Sequence, residues 1–352
     1  MSEFDIKSMT LTEVESVISS LNEKKFRAKQ IFDWLQVFGA MNYDEMSNVP
    51  KALRSTLAEK YPIRSCEIEL KQVSKIDSTV KYLFKLYDGN FVESVLMKYK
   101  YGYTLCVSSQ VGCKMGCVFC ASTKSGCVRC LAPSEILGQI HAAQRDMNVR
   151  VSHVVMMGMG EPLDNYENTI RFLRLASDEN GLNLSMRNIS LSTCGIVPRI
   201  YDLLDEKIPL TLSISLHAPN DKMRSEVMPV NKKYPVSELI KACKDYSKAT
   251  SRRISFEYAM IKDVNDSDEC AFELAGLLKG MLCHVNLIPA NEITESNHKR
   301  STNERLQRFM KILNSRGINT TVRRSLGSDI DASCGQLRSK HVKEIKEEEG
   351  KQ

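Results

Sequence analysis

The spacing of hydrophobic positions changes period twice along the chain. Up to about residue 62 it is helical and polar. In Lys24-KFRAKQIFDWLQ the apolar positions Phe26, Ile31, Trp34 and Leu35 stand beside Lys24, Lys25, Arg27 and Lys29, which predicts a helix with one basic side. From 67 to 99 the period falls to two: Glu67-IELKQV, then Val80-KYLFKLY, an Asp88-Gly89 turn, and Phe91-VESVLMKY. An Asp-Gly pair between two alternating runs predicts a hairpin. Glu93 falls on one face with Phe91, Val95 and Met97; the residues alone predict an edge strand with one solvated position.

Beyond residue 103 strands and helices alternate. Strands are predicted near 103–108, 152–158, 188–193, 210–217, 253–260 and 284–289, each followed by a helical stretch, with a further strand near 318–324. In the last helix Ser301 and Glu304 predict a capping box, Leu306, Phe309, Met310 and Leu313 the buried stripe, and Gly317 the stop. Strand-helix alternation argues for a parallel sheet. Six units are too few to close an eight-stranded barrel, so the expected fold is α/β, a partial (βα)6 barrel. The expected divisions are a small helical N-terminal domain over 1–62, a β-hairpin extension over 63–100, the barrel over 101–338 and a charged tail over 339–352.

The 352 residues, 42% of them hydrophobic, suffice for one large domain and an appendage. The start, MSEFDIKSMT, has neither a basic n-region nor an apolar h-region, and no apolar run reaches the length of a membrane span. A cytosolic protein is expected. A net charge of +6 is modest and does not by itself establish a nucleic-acid binder. Local placement says more: Lys98-YKYGY interleaves cations with Tyr99, Tyr101 and Tyr103. That suits either a single-stranded RNA surface or a strand with half-buried tyrosines.

Half of the twelve cysteines lie between Cys106 and Cys130, and inside that stretch stands Cys113-x3-Cys117-x2-Cys120 with Phe119 before the third. Three thiolates in eight residues point at one centre when the backbone curls around a metal. A 4Fe–4S cluster normally takes four cysteines, so a triplet leaves one iron open for substrate or cofactor. Zinc is the alternative, through Cys117, Cys120, Cys127 and Cys130, but the six residues between its two pairs fall short of the usual spacing. A disulfide staple does not suit a cytosolic chain.

An aromatic-flanked Cys-x3-Cys-x2-Cys resembles the signature of radical S-adenosylmethionine (SAM) enzymes. The flanks are similar to the RlmN-type RNA adenosine methyltransferases and their C8-methylating relatives. The stretches concerned are Cys106-VSSQVG-Cys113, Gly158-MGEPL, Leu191-STCGIVP, Ser215-LHAPND, Met228-PVNKKYP, Asn286-LIP and Asp329-IDASCGQL, in the family's order. The resemblance implies cluster ligation by Cys113, Cys117 and Cys120. It implies a SAM pocket from Gly160, Glu161, Ser192, Ser215, Leu216, His217 and Asn291. Taken singly, a Gly-Glu pair is an ordinary turn and a strand-end histidine a satisfied structural residue.

The same resemblance implies that Glu93 is the proton acceptor, Cys334 the carrier that becomes S-methylcysteine, and Cys106 its partner in a transient disulfide. On its own Cys334 would be a buried core thiol. Two cysteines answer a chemical need, because adenine C2 is not nucleophilic and cannot attack the SAM methyl group. The resemblance implies that one SAM methylates Cys334 and that a second, cleaved at the open iron, yields the 5′-deoxyadenosyl radical that abstracts hydrogen from that methyl group. The methylene radical then joins the ring. Arg323 and Arg324, close in sequence to Cys334, either favour its thiolate or hold RNA phosphate.

The implied function is C2 methylation of an adenosine in the peptidyl-transferase loop of 23S rRNA and, in some members, of the adenosine beside the tRNA anticodon. Two SAM per turnover, an electron donor such as flavodoxin or ferredoxin, an RNA-docking role for the N-terminal helices and a monomeric state complete the expectation. The sister branch methylates C8; Pro162 and the PVNKKY stretch resemble the C2 branch. A departure follows the cluster motif, where Gly126-CVRCL replaces the family's Gly-Phe-x-Arg-Asn-Leu. The alternative from another class is a non-enzymatic, zinc-stabilised RNA-binding protein.

Overall fold

The computed structural model describes residues 5–124, 126–289, 299–324, 326–330, 337–338 and 341–342. Asn291, Cys334 and the end of the tail lie outside them. Three helices come first: α1 (Leu11–Ser20), α2 (Phe26–Gln36) and α3 (Lys51–Lys60). Thr10 and Glu13 form a capping box at the start of α1. Ile31 and Leu35 are buried as their period predicts, whereas Phe26 is exposed and carries the Arg27 guanidinium over its ring.

Three antiparallel strands follow, β1 (Glu67–Val73), β2 (Val80–Lys85) and β3 (Phe91–Tyr99), leading into β4 (Gly102–Cys106). A short ribbon, β5 (Gln110–Gly112) with β6 (Cys127–Cys130), frames the cysteine loop and was not anticipated. Then come α4 (Pro133–Met147), β7 (Val151–Met156), α5 (Tyr166–Ser177), β8 (Ile189–Thr193), α6 (Val197–Asp205) and β9 (Thr211–Ser215). After α7 (Asp221–Val227) and α8 (Val236–Thr250) the chain runs through β10 (Ile254–Met260), α9 (Asp268–Leu278), β11 (Cys283–Pro289), α10 (Asn303–Ser315) and β12 (Thr320–Val322). The cap of α10 is Thr302, one residue later than expected, because Ser301 is buried and donates its hydroxyl to Asp266.

The described residues form one ten-stranded sheet in the order β1-β2-β3-β4-β7-β8-β9-β10-β11-β12, parallel from β4 onward. This is the partial barrel expected, extended by the antiparallel strands at one edge and by β12 at the other. Cross-strand pairs such as Leu83↔Glu93, Val95↔Cys106, Val155↔Ser190, Ser192↔Ser213, Ser215↔Glu257 and Glu257↔Asn286 put small and polar side chains on one face. The alternate residues, among them Tyr82, Leu105, Val154, Leu191, Ile214, Phe256 and Leu287, belong to the buried apolar cluster under the helices. Period-two alternation thus separates a core face from a functional face.

The N-terminal helices share that apolar cluster with the barrel. Polar contacts reinforce the join: Asp5 accepts from the Ser134 hydroxyl at 2.7 Å, and Arg171 holds Glu13 through both terminal guanidinium nitrogens. Past β12 the chain returns to the first strands. Gly327 N–H donates to Asp77, Asp329 accepts from Ser74 and Lys75, and Leu337 packs on Leu83 and Phe91. Glu93 is therefore in the middle of the sheet, not at a solvated edge. Its strand lies between β2 and β4, with the C-terminal segment against it. No helix among the described residues is long and apolar enough to cross a membrane.

Candidate active site

Apart from Glu93 on antiparallel β3, the predicted site residues that are described gather at or just beyond the C-terminal ends of the parallel strands, where loops leave a rigid sheet. Cys106 ends β4. The next residues tuck under the Gly158-MGEPL turn, with Ser109 and Gln110 N–H groups both donating to Met159 O. Such an approach excludes a side chain: a Cβ on Gly160, whose φ is +101°, would lie 2.6 Å from Gln110 Cβ and 2.7 Å from its N. The cysteine loop then closes on itself. Cys113 N–H donates to Gly126 O at 2.9 Å, Cys120 N–H to Cys117 O at 3.1 Å, and the Thr123 hydroxyl to the Cys117 and Cys120 carbonyls.

Cys113 and Cys117 are buried and Cys120 half-buried. Burial pushes the Cys113 thiol up to about 12, and the charges of Cys120 and Glu161 add to that. Cys117 is raised by burial, then by Cys120 and Cys113. Three thiols whose thiolates would repel one another, Cys117 and Cys120 among them set against Cys194, Val227, Met228, Met115 and Phe119, fit a bound metal cluster, whose positive irons would make thiolates the stable form. Among the described residues no three His, Cys, Asp or Glu side chains are arranged to hold a single ion. One zinc needs sulfurs about 3.8 Å apart, as its ~2.3 Å bonds dictate. A cluster takes each cysteine on a separate iron.

Glu161 is buried in the turn that follows β7. Its carboxylate accepts from Leu163 N–H at 3.0 Å and Cys194 N–H at 2.7 Å, while burial raises its pKa. Ser192 lies within β8 and Ser215 ends β9, both half-buried on the polar face. Leu216 is fully buried. His217 has a left-handed backbone, φ +58°, and its Nδ1 accepts from Ala259 N–H at 2.9 Å. The other ring nitrogen therefore carries the proton. Burial, and then Arg224, hold the pKa of His217 down to about 3, and Phe119 meets its ring edge-on at 4.6 Å.

Across the sheet, Glu93 and Lys81 form a buried ion pair at 2.6 Å, with side chains 2% and 0% exposed. The other Glu93 oxygen accepts from Arg338 N–H at 2.6 Å. Cys106 lies opposite Val95, two residues along β3 from Glu93. Burial raises its thiol pKa, which Arg323 and Lys81 partly offset. All cysteines among the described residues are free thiols.

Residues 107–275 match the radical SAM superfamily, and residues 4–63 match the ribosomal RNA large subunit methyltransferase N-terminal domain. The chain is 54% identical over 342 residues to a probable dual-specificity RNA methyltransferase RlmN from Alkaliphilus oremlandii, covering 97% of this chain and 99% of that one. A protein of the same description from Clostridium tetani is 52% identical over 339 residues, 96% of this chain and 97% of the other. The chain belongs to the RlmN family. The crystal structure of a radical SAM methyltransferase from Sphaerobacter thermophilus overlays with a TM-score of 0.91 at 44% identity, covering 95% of this chain and 98% of that one.

As an RlmN-family chain this is a transferase, an RNA methyltransferase that uses a 4Fe–4S cluster and SAM. That removes the non-enzymatic zinc alternative. Cys127 and Cys130, the residues unlike the family, lie on β6, and Cys130 sulfur accepts from Gln110 Nε2 at 3.4 Å. The stacked Tyr99 and Tyr101, ring centroids 5.0 Å apart, leave Tyr101 mostly exposed and Tyr99 half-buried. Sequence reasoning missed Lys81, Gln110 and Arg224. Lys81 stands in the stretch of β2 that is buried from Val80 to Phe84, between β1 and β3, and Arg224 shares its helix face with buried Val227, an apolar-periodic position that a cation rarely fills.

Proposed function

We propose that this protein methylates C2 of an adenosine in the peptidyl-transferase loop of 23S rRNA, and the adenosine beside the tRNA anticodon, with Cys334 as methyl carrier. The observation that carries the reading is the wall of Glu93, Lys81 and Cys106 on adjacent strands, to which Arg338 is bonded. Cys334 is four residues from Arg338, a reach of at most about 14 Å. The relatives' name, dual-specificity RNA methyltransferase, supports two RNA substrates. Pro162 and PVNKKY favour C2 over C8.

Cys113, Cys117 and Cys120 hold the cluster, and Gly160, Glu161, Ser192, Ser215, Leu216, His217 and Asn291 form the SAM pocket. Cluster and SAM together supply the radical that removes hydrogen from the Cys334 methyl group. Cys334 takes its methyl group from one SAM, a second SAM being used for cleavage, and the resulting methylene bonds to adenine C2. Glu93, held in place by Lys81, takes the ring proton. Cys106 thiolate attacks Cys334 sulfur; the sulfur–carbon bond breaks with its electron pair going to the methylene carbon, which takes up a proton to become the methyl group of the released base, the one electron left over from radical addition returns to the electron carrier, and the disulfide formed is reduced by cellular thiols.

Around this centre the segment 1–62 docks RNA, an acidic carrier of the flavodoxin or ferredoxin type delivers electrons, and the enzyme works as a cytosolic monomer. The test is mass analysis of nucleosides from a 23S rRNA fragment after anaerobic reconstitution with iron, sulfide, reductant and SAM. Wild type yields 2-methyladenosine and Cys334→Ala none. Formation of 8-methyladenosine, or product from the Cys334→Ala protein, overturns the reading.

A further inference from the structure

Arg224 is completely buried, and every hydrogen bond it donates goes to a neutral acceptor. Nη2 reaches Cys194 O at 2.6 Å and Ser215 O at 3.1 Å, Nε reaches Leu216 O at 3.1 Å, and Nη1 reaches Asn231 Oδ1 at 3.0 Å. Among the described residues no carboxylate touches it. Glu161 is one peptide away, bonded to Cys194 N–H, and Asp221 is one amide away, bonded to Asn231 Nδ2 at 2.9 Å.

Two consequences follow. The carbonyls of Cys194, Ser215 and Leu216 stand at the ends of β8 and β9, so one guanidinium fixes two loops of the SAM pocket relative to each other. A lysine has one nitrogen and cannot span them. The second consequence is electrostatic. A buried cation without a touching counter-ion is costly, and proteins normally supply one. Cys117 lies beside Cys194 in the same buried cluster, and Val118 N–H bonds to Val227 O, three residues past Arg224. Once three thiolates hold a cluster there, the loop carries the negative charge that the guanidinium lacks.

We propose that Arg224 is a positioning residue with two separable effects: its hydrogen bonds set the SAM pocket, and its buried charge raises the reduction potential of the cluster. The charge favours the state with one more electron, so its removal makes the potential more negative. This rests on the proposed cluster and pocket residues.

The test uses the full-length reconstituted protein and its Arg224→Lys and Arg224→Gln variants, with electron paramagnetic resonance potentiometry without SAM and equilibrium SAM binding. Arg224→Gln is expected to lower the midpoint by at least the 59 mV of a tenfold change in a one-electron ratio. Arg224→Lys, retaining the charge, stays near wild type. Both variants weaken SAM binding tenfold or more, because neither spans the loops. A purely structural role would move both potentials alike, with cluster loss, and would overturn the proposal. So would a folded Arg224→Gln protein with wild-type potential or wild-type SAM affinity. Should that variant not fold, Arg224→Lys decides: wild-type SAM affinity, or a midpoint lowered as far as 59 mV, refutes it. Failure of wild type itself to take up iron would sink the cluster assignment instead.

Discussion

Replacing Lys81 by Met tests the electrostatics of the active-site wall. The substitution keeps most of the stem's volume and removes the ammonium group from a pair whose side chains are 0% and 2% exposed. The Glu93 carboxylate then remains in a site shielded from water. Breaking a buried pair in this way costs about 3–5 kcal/mol, a large part of the roughly 5–15 kcal/mol that holds a domain together. Glu93→Leu removes the carboxylate from the buried Lys81 ammonium and costs a similar amount. The double replacement strands neither, and such swaps are often neutral or better. A double-mutant cycle followed by urea unfolding and pulse proteolysis under argon should therefore give a coupling of about 6 kcal/mol or more, the sum of the two single losses. Single losses below about 1 kcal/mol, the range of exposed pairs, or strictly additive ones, would refute the reasoning.

Arg129 links three elements, holding Asp88 at 2.6 Å and buried Glu135 at 2.7 Å, so Arg129→Met should cost about 3 kcal/mol by stranding Glu135, read as a lower urea midpoint. Gly160→Ala meets both the 2.6 Å clash with Gln110 and a left-handed backbone; it should lose at least about 1–3 kcal/mol and weaken SAM binding, measured by calorimetry. His141 and His217 are both held neutral by burial, at about 3, against an ordinary 6.5. Their folded values are depressed, so the unfolded chain binds more protons and stability falls as pH drops from 6.5 toward 3, by up to about 1.4 kcal/mol per pH unit for each. Denaturation midpoints between pH 7 and 5 check this, and His141→Gln should flatten the slope.

Much of this architecture is legible in the sequence because period reports packing. The strands expected near 152–158, 188–193 and 253–260 form, and the structure gives each a polar face and an apolar face. The cysteine spacing likewise encodes the loop that Gly126 O and Thr123 close by local hydrogen bonds. What stayed hidden depends on coverage from elsewhere in the chain. Glu93 reads as an edge residue until the C-terminal segment, some 240 residues later, brings Arg338 N–H onto its carboxylate. Arg224 reads as a surface cation of a short helix, since no local pattern encodes the three carbonyls it gathers from two other loops. The β5–β6 ribbon was missed because three and four residues are too few to establish a period.

The central claim is that the methyl group travels through Cys334 as a methylene radical, and SAM bearing a trideuterated methyl group tests it most directly. Hydrogen abstraction from the methylated cysteine removes one deuterium before the carbon reaches adenine. The account predicts 2-methyladenosine from the 23S rRNA fragment with two deuteriums in its methyl group, and a trideuterated S-methylcysteine at Cys334 in protein recovered before RNA is added. A product that retains all three deuteriums would mean direct methyl transfer and would contradict the account.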